Sequence, residues 1–85
     1  MKVILAGSFM KDLRKVSTAI FEHFKERRDI FLRDPYHPLL NNHPLHGKWS
    51  GHRSINVTGD YRAIYYIHDD ICVFVRIGTH SELYG

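Results

Sequence analysis

Three segments rich in β-branched and aromatic residues, Lys48 to Val57, Tyr61 to His68 and Ile71 to Gly78, are separated only by Thr58-Gly59-Asp60 and Asp69-Asp70. Loops this short join antiparallel neighbours, because a parallel return needs a crossover of about a dozen residues or more. The C-terminal half is therefore expected to form an antiparallel meander. The chain of 85 residues allows one small domain with one core, so any active site should be a shallow surface groove.

The N-terminal half reads differently. Lys2 to Ala6 suits a short strand, Gly7 ends it, and Ser8 can cap a helix carrying Phe9, Leu13 and Val16. Ser17 offers a second cap. After it, Ile20, Phe21, Phe24, Phe31 and Leu32 fall on one side of a longer helix, with Glu22, Lys25, Glu26 and Asp29 opposite. Asp34-Pro35 ends that helix, and the Pro/Gly-rich interval 35–51 reads as one long connection within a single domain. The expected class is α+β: an N-terminal strand and a two-helix hairpin on one face of a twisted, mainly antiparallel sheet, in the order β-α-α-β-β-β.

Alternation sets the expected faces. Arg53, Ile55 and Val57 share one side of their strand, leaving His52, Ser54 and Asn56 on an uncovered face. In the last strand Val73, Val75 and Ile77 share a side and Cys72, Phe74 and Arg76 the other, which displays Arg76 and Asn56 together on the open surface.

Several function classes fall away. No uninterrupted apolar stretch exceeds five residues, as at Ile71 to Val75, far below the ~20 needed to cross a bilayer. One cysteine, Cys72, cannot form an internal disulfide and sits among apolar neighbours that block access, so a reducing cytoplasm is the expected location and a thiol nucleophile is not. Seven histidines invite a metal, yet Pro44 disfavours a helix carrying His43 and His46, no His-x-x-x-His pair lies on either helix, and no second thiol exists. Neither a metal nor a cofactor is expected. Twelve Lys/Arg against nine acids give a formal +3, which permits a polyanionic partner without requiring one.

Reactive side chains gather at loops and strand ends, where a small scaffold can spare them. Cutting RNA without metal needs a group that takes the 2′-hydroxyl proton, a group that protonates the departing 5′-oxygen, and a cation for the crowded phosphorus centre. Imidazole serves both proton roles and the planar guanidinium fits phosphate oxygens. The chain offers His43, His80 and Asp60 for proton transfer, Arg76 and Arg62 for charge, and Tyr61 and Tyr84 for stacking on unpaired bases.

These residues lie in three ordered motifs. They are His43-Pro44-Leu45-x-Gly47-x-Trp49-x-Gly51-x-Arg53, Gly59-Asp60-Tyr61-Arg62-x-x-Tyr65 and Arg76-x-Gly78-Thr79-His80-x-x-Leu83-Tyr84-Gly85. Together they resemble the RelE/ParE superfamily of bacterial toxins, closest to its YafQ branch, over residues 43–85 with a weaker match in the helical part. The Gly-Asp-Tyr-Arg motif is common to the superfamily; the His-Pro-Leu loop with the terminal Gly-Thr-His-x-x-Leu-aromatic is far more specific. The resemblance implies a helical hairpin on a twisted antiparallel sheet and ribosome-dependent cleavage of mRNA, restrained by a cognate antitoxin. Carried over, it implies His43, Asp60 and His80 for proton transfer, with His80 preferred as acid and the base open between His43 and Asp60. It further implies Arg76 for the phosphate and Tyr84 as the aromatic near the C-terminus. Arg62 matches the phosphate-contacting arginine of the RelE branch. Asn56 stands where the YafQ branch has a histidine, able to bind an oxygen but not to exchange a proton. Tyr61 replaces a tryptophan and keeps a stacking face. The alternative is a non-enzymatic, ParE-like poison of DNA gyrase on the same scaffold.

Overall fold

The computed structural model describes all residues, Met1–Gly85. Strand β1 (Lys2–Leu5) leads into helix α1 (Gly7–Leu13) and the longer α2 (Thr18–Arg33). A short strand β2 (His43–Pro44) lies between two 3-10 turns at Pro38–Leu40 and Gly47–Trp49. The meander follows as β3 (Arg53–Asn56), β4 (Tyr61–His68) and β5 (Ile71–Thr79), and helix α3 (His80–Tyr84) ends the chain. The sheet order is β1-β5-β4-β3-β2, antiparallel except for β1 beside β5. The class is α+β, as the sequence predicts.

Local chemistry explains most elements and corrects some expectations. Ser17 caps α2 by accepting from the Ile20 amide, and Asp34 stops it in an extended conformation before Pro35. Ser8 does not cap α1. Ala6 occupies that position without a side-chain bond, and the Ser8 hydroxyl instead donates to the Val75 carbonyl. The first meander strand does not reach back to Lys48, because Gly47 (φ 66°) and Gly51 (φ 84°) turn the chain through the left-handed region. The interval 35–51 is likewise more ordered than a plain connection, since β2 adds a strand with His43 opposite Ser54.

One irregularity in β5 resets the faces. Ile64 pairs with Arg76 and Tyr65 with Phe74, so Val75 is an extra residue opposite the junction of two partners, a β-bulge. Alternation therefore breaks there. Cys72, Phe74 and Ile77 all reach the main core, whereas strict alternation predicts Ile77 on the side of Val73 and Val75. That core is aromatic: Phe9, Phe24, Phe31, Tyr65 and Phe74 pack with ring centroids 4.9 to 6.0 Å apart. Each fully buried Phe contributes about 1.5 to 3 kcal/mol of transfer free energy. Leu32 is not part of it. It remains 43% exposed, and Ile30 packs against the core instead.

The opposite face of the sheet is not open either. Ser54 and Ile64 are fully buried there, outside the main cluster, as is Leu83 of α3. The short terminal helix folds back over the sheet and covers what the alternation alone had left bare. Trp49, half-buried, ties down this cover by donating its indole N–H to the Leu83 carbonyl at 3.3 Å.

Candidate active site at the end of strand β5

Helix α3 is placed by its start. Thr79 accepts from the Glu82 amide and its own amide donates to the Glu82 carboxylate at 2.8 Å, a reciprocal capping box. Those Thr79 bonds hold the Glu82 carboxyl below its usual range. A Cβ at Gly78 would lie 3.3 Å from the Leu83 side chain and 3.2 Å from that of Glu82, so the close return of α3 leaves little room for a side chain here. His80, the first helical residue, is thereby fixed. Its amide donates to the Asp60 carbonyl at 3.3 Å and its ring meets the Tyr84 ring edge-on at 4.8 Å, one turn along.

His43 approaches from the other end of the sheet. Asn41 adopts a left-handed conformation (φ 45°), and its carbonyl lies 2.8 Å from His43 Nδ1. A carbonyl only accepts, so Nδ1 carries the hydrogen and the neutral ring presents Nε2 as a lone pair. Asn42 holds the neighbouring backbone. Its side-chain oxygen accepts from Arg53 Nε (2.8 Å) and Tyr65 Oη (2.9 Å), and its amide nitrogen donates to the Pro35 carbonyl (2.9 Å).

Between the two imidazoles lies Arg62. Pairing places it between Asn56 on β3 and Gly78 on β5. Its Nη1 donates to the carbonyls of Thr58, Gly59 and Tyr61 at 2.9 to 3.2 Å, which orients the fork without neutralising it. No carboxylate pairs with Arg62. His43, Arg62, His80 and Tyr84, with Asn41 and Leu45, line a cleft of about 280 Å³. An adjoining space of about 410 Å³ is bordered by Gly59, Asp60, Thr79 and Ser81 and shares Arg62 and His80 with the first. Asn56 Oδ1 and Tyr84 Oη are shielded from solvent and bond to nothing within the protein.

Arg76 and Tyr61 sit elsewhere. They line a separate hollow with Asp12, Lys15, Val16, Ile77 and Glu82. Arg76 Nε donates to Asp12 Oδ2 at 2.7 Å and Nη2 reaches Oδ1 at 3.4 Å. Asp12 Oδ2 also accepts the Ile77 amide at 3.0 Å. Thus His43, Arg62, His80 and Tyr84 come together, Asp60 flanks them, Asn56 neighbours Arg62 in the sheet, and Arg76 and Tyr61 are in the next hollow. Sequence reasoning missed Asp12 and Asn42. Asp12 lies 64 positions from Arg76, and the only local signal for Asn42 was a polar residue beside His43. No group of three or more His, Cys, Asp or Glu side chains is arranged to hold a metal ion.

The model of the YafQ family, described as the bacterial toxin of type II toxin-antitoxin systems, matches residues 1–85. The chain belongs to the YafQ family. The mRNA interferase toxin YafQ of Escherichia coli K12 is 39% identical over 51 residues, 60% of this chain and 55% of that protein. The chain thus matches about half the length of its curated relatives. In three dimensions the likeness is longer. The crystal structure of YafQ from E. coli BL21(DE3) covers 99% of this chain and 98% of its own, with TM-score 0.85 and 26% identity. YafQ in the E. coli DinJ-YafQ complex covers 99% and 98% with TM-score 0.75 and 27% identity.

Proposed function

We propose that this toxin is an endoribonuclease that cuts mRNA in the ribosomal A site, with His43 as base and His80 as acid. The observation that carries the reading is the shared cleft: His43 and His80 border one space with the unpaired Arg62, and the Asn41 carbonyl leaves His43 Nε2 free to accept a proton. His43 Nε2 takes the 2′-hydroxyl proton while that oxygen attacks phosphorus. Protonated His80 gives its proton to the departing 5′-oxygen, leaving a 2′,3′-cyclic phosphate and a 5′-hydroxyl. Arg62 faces the charge that gathers on the non-bridging oxygens. The placement favours His43 over Asp60 as base, because Asp60 borders only the adjoining space.

The remaining residues have supporting parts in this reading. Tyr84 holds the His80 ring from one turn away, and Asn56, paired with Arg62 across the sheet and with its oxygen shielded, supports the strand that carries Arg62. Arg76, already neutralised by Asp12, and Tyr61 serve a flanking nucleotide and not the scissile phosphate. The names of the relatives, mRNA interferase toxins and a DinJ-YafQ complex, support the substrate and an antitoxin partner. An acidic antitoxin segment would be steered by the formal +3 charge and would cover the free cation at Arg62.

The test is cleavage of a defined mRNA on purified ribosomes. His80→Ala and His43→Ala should each lower the rate by about 10²- to 10⁴-fold, the usual worth of a positioned acid or base. Wild-type rates in both variants, or inhibition of gyrase supercoiling in place of cleavage, would refute the assignment.

A further inference from the structure

His43 stands on a two-residue strand at the edge of the sheet, a weak support for a group that must sit within a few tenths of an ångström of its target. What immobilises it is the preceding residue. Asn42 bonds to three separated parts of the fold: Arg53 on β3, Tyr65 on β4 and the Pro35 carbonyl just after α2. Two donors converge on its single oxygen. Tyr65 is itself almost wholly buried against Phe31 and Phe74, so the clamp is anchored in the aromatic core. Arg53 is held from its other side by the ring of Tyr36, with its guanidinium carbon 5.6 Å from the centroid.

We propose that Asn42 is the positioning residue of this site: it ties the His43 backbone to the core, so that the Asn41 carbonyl meets Nδ1 and Nε2 is delivered to the cleft. Asn42 itself does not line that cleft, so it acts through His43 and not on RNA. The inference rests on the reading of His43 as base.

A double-mutant cycle separates the two ideas. Cleavage rates on ribosomes are measured for the wild type, Asn42→Ala, His43→Ala and the double variant. Asn42→Ala should lower the maximal rate roughly 10- to 100-fold, the scale of a one-ångström misplacement, with the half-saturating ribosome concentration unchanged. In the His43→Ala background the same change should cost nothing further. An equal loss in both backgrounds would overturn the proposal, since it would mark a general structural role. A wild-type rate in His43→Ala would instead remove the base itself. If thermal melting shows that Asn42→Ala does not fold, Tyr65→Phe replaces it in the cycle, because it removes one of the two donors and preserves the ring. ¹⁵N spectra of the His43 imidazole add a readout independent of activity. They should show the Nδ1–H form in the wild type and a mixture in Asn42→Ala, and an unchanged tautomer would count against the clamp.

Discussion

Strand β5 has two halves with opposite characters. From Ile71 to Phe74 it lies between β1 and β4 and sends Cys72 and Phe74 into the aromatic core. From Arg76 onward β1 has ended, and the exposed edge is met by α1: Ser8 bonds to the Val75 carbonyl and Asp12 to the Ile77 amide. This half carries Arg76 and runs into His80. The bulge at Val75 divides them. A regular strand would have kept one alternation throughout, with Ile77 on the face opposite Phe74. The extra residue returns Ile77 to the core face and turns Arg76 away from it, toward Asp12.

Substitutions on both sides of the bulge and one titration test the contrast. His80→Ala, at the end of the polar half, should remove about 10²- to 10⁴-fold of ribosomal mRNA cleavage while leaving the melting temperature nearly unchanged, because the ring is exposed. Phe74→Ala, in the apolar half, should do the reverse. It opens a cavity worth about 3 to 5 kcal/mol in a urea melt. A stable Phe74→Ala protein would show that the two halves are not separate in purpose. Arg62→Ala should cost about 10²- to 10³-fold in rate, the scale of losing a charge-stabilising donor, and Arg76→Ala less. Arg76→Ala should also lower the melting temperature, since the Asp12 side chain, only 12% exposed, would lose its partner. The opposite ranking would place the scissile phosphate beside Asp12. Gly78→Ala should be milder, displacing α3 by tenths of an ångström against Leu83 and reducing activity more than stability.

The smallest effect is alkaline. Burial pushes the Cys72 thiol up to about 12 from its ordinary 9, and burial also raises Tyr65, so the folded protein keeps these protons where the unfolded chain releases them. A raised folded pKa means stability that is complete below about pH 9 and declines as pH climbs toward 12. Urea midpoints taken across that window should fall, and the fall should be shallower in Cys72→Ala.

Helices and reversals were legible because their signals are local. Ser17 before Ile20, the stripe through Phe24 and Phe31, and the breaks at Thr58-Gly59-Asp60 and Asp69-Asp70 each act within a few residues. The bulge was not legible, since a run such as Val73-Phe74-Val75 offers apolar residues to either face and nothing in it marks the extra one. Strand β2 was hidden because two residues show no period. At the site, the sequence named His43, Arg62, His80 and Tyr84, which the fold brings to one cleft. It also grouped Arg76 with them, because nothing local marks Asp12, which holds that guanidinium in a separate hollow. Long-range polar partners leave no periodic trace, and Asn42 went unseen for the same reason.

The parallel pairing of β1 with β5 joins Lys2–Leu5 to Ile71–Phe74, the most distant strands in the sequence. Closing so long a loop is entropically slow, so β1 should be the last strand to dock. During synthesis the first strand made must wait for the last, and α1, which follows it, cannot brace Arg76 until then. A nascent chain halted before β5 would consequently hold its opening segment unpaired, and Phe9 would keep the ring of Phe24 but lack that of Phe74.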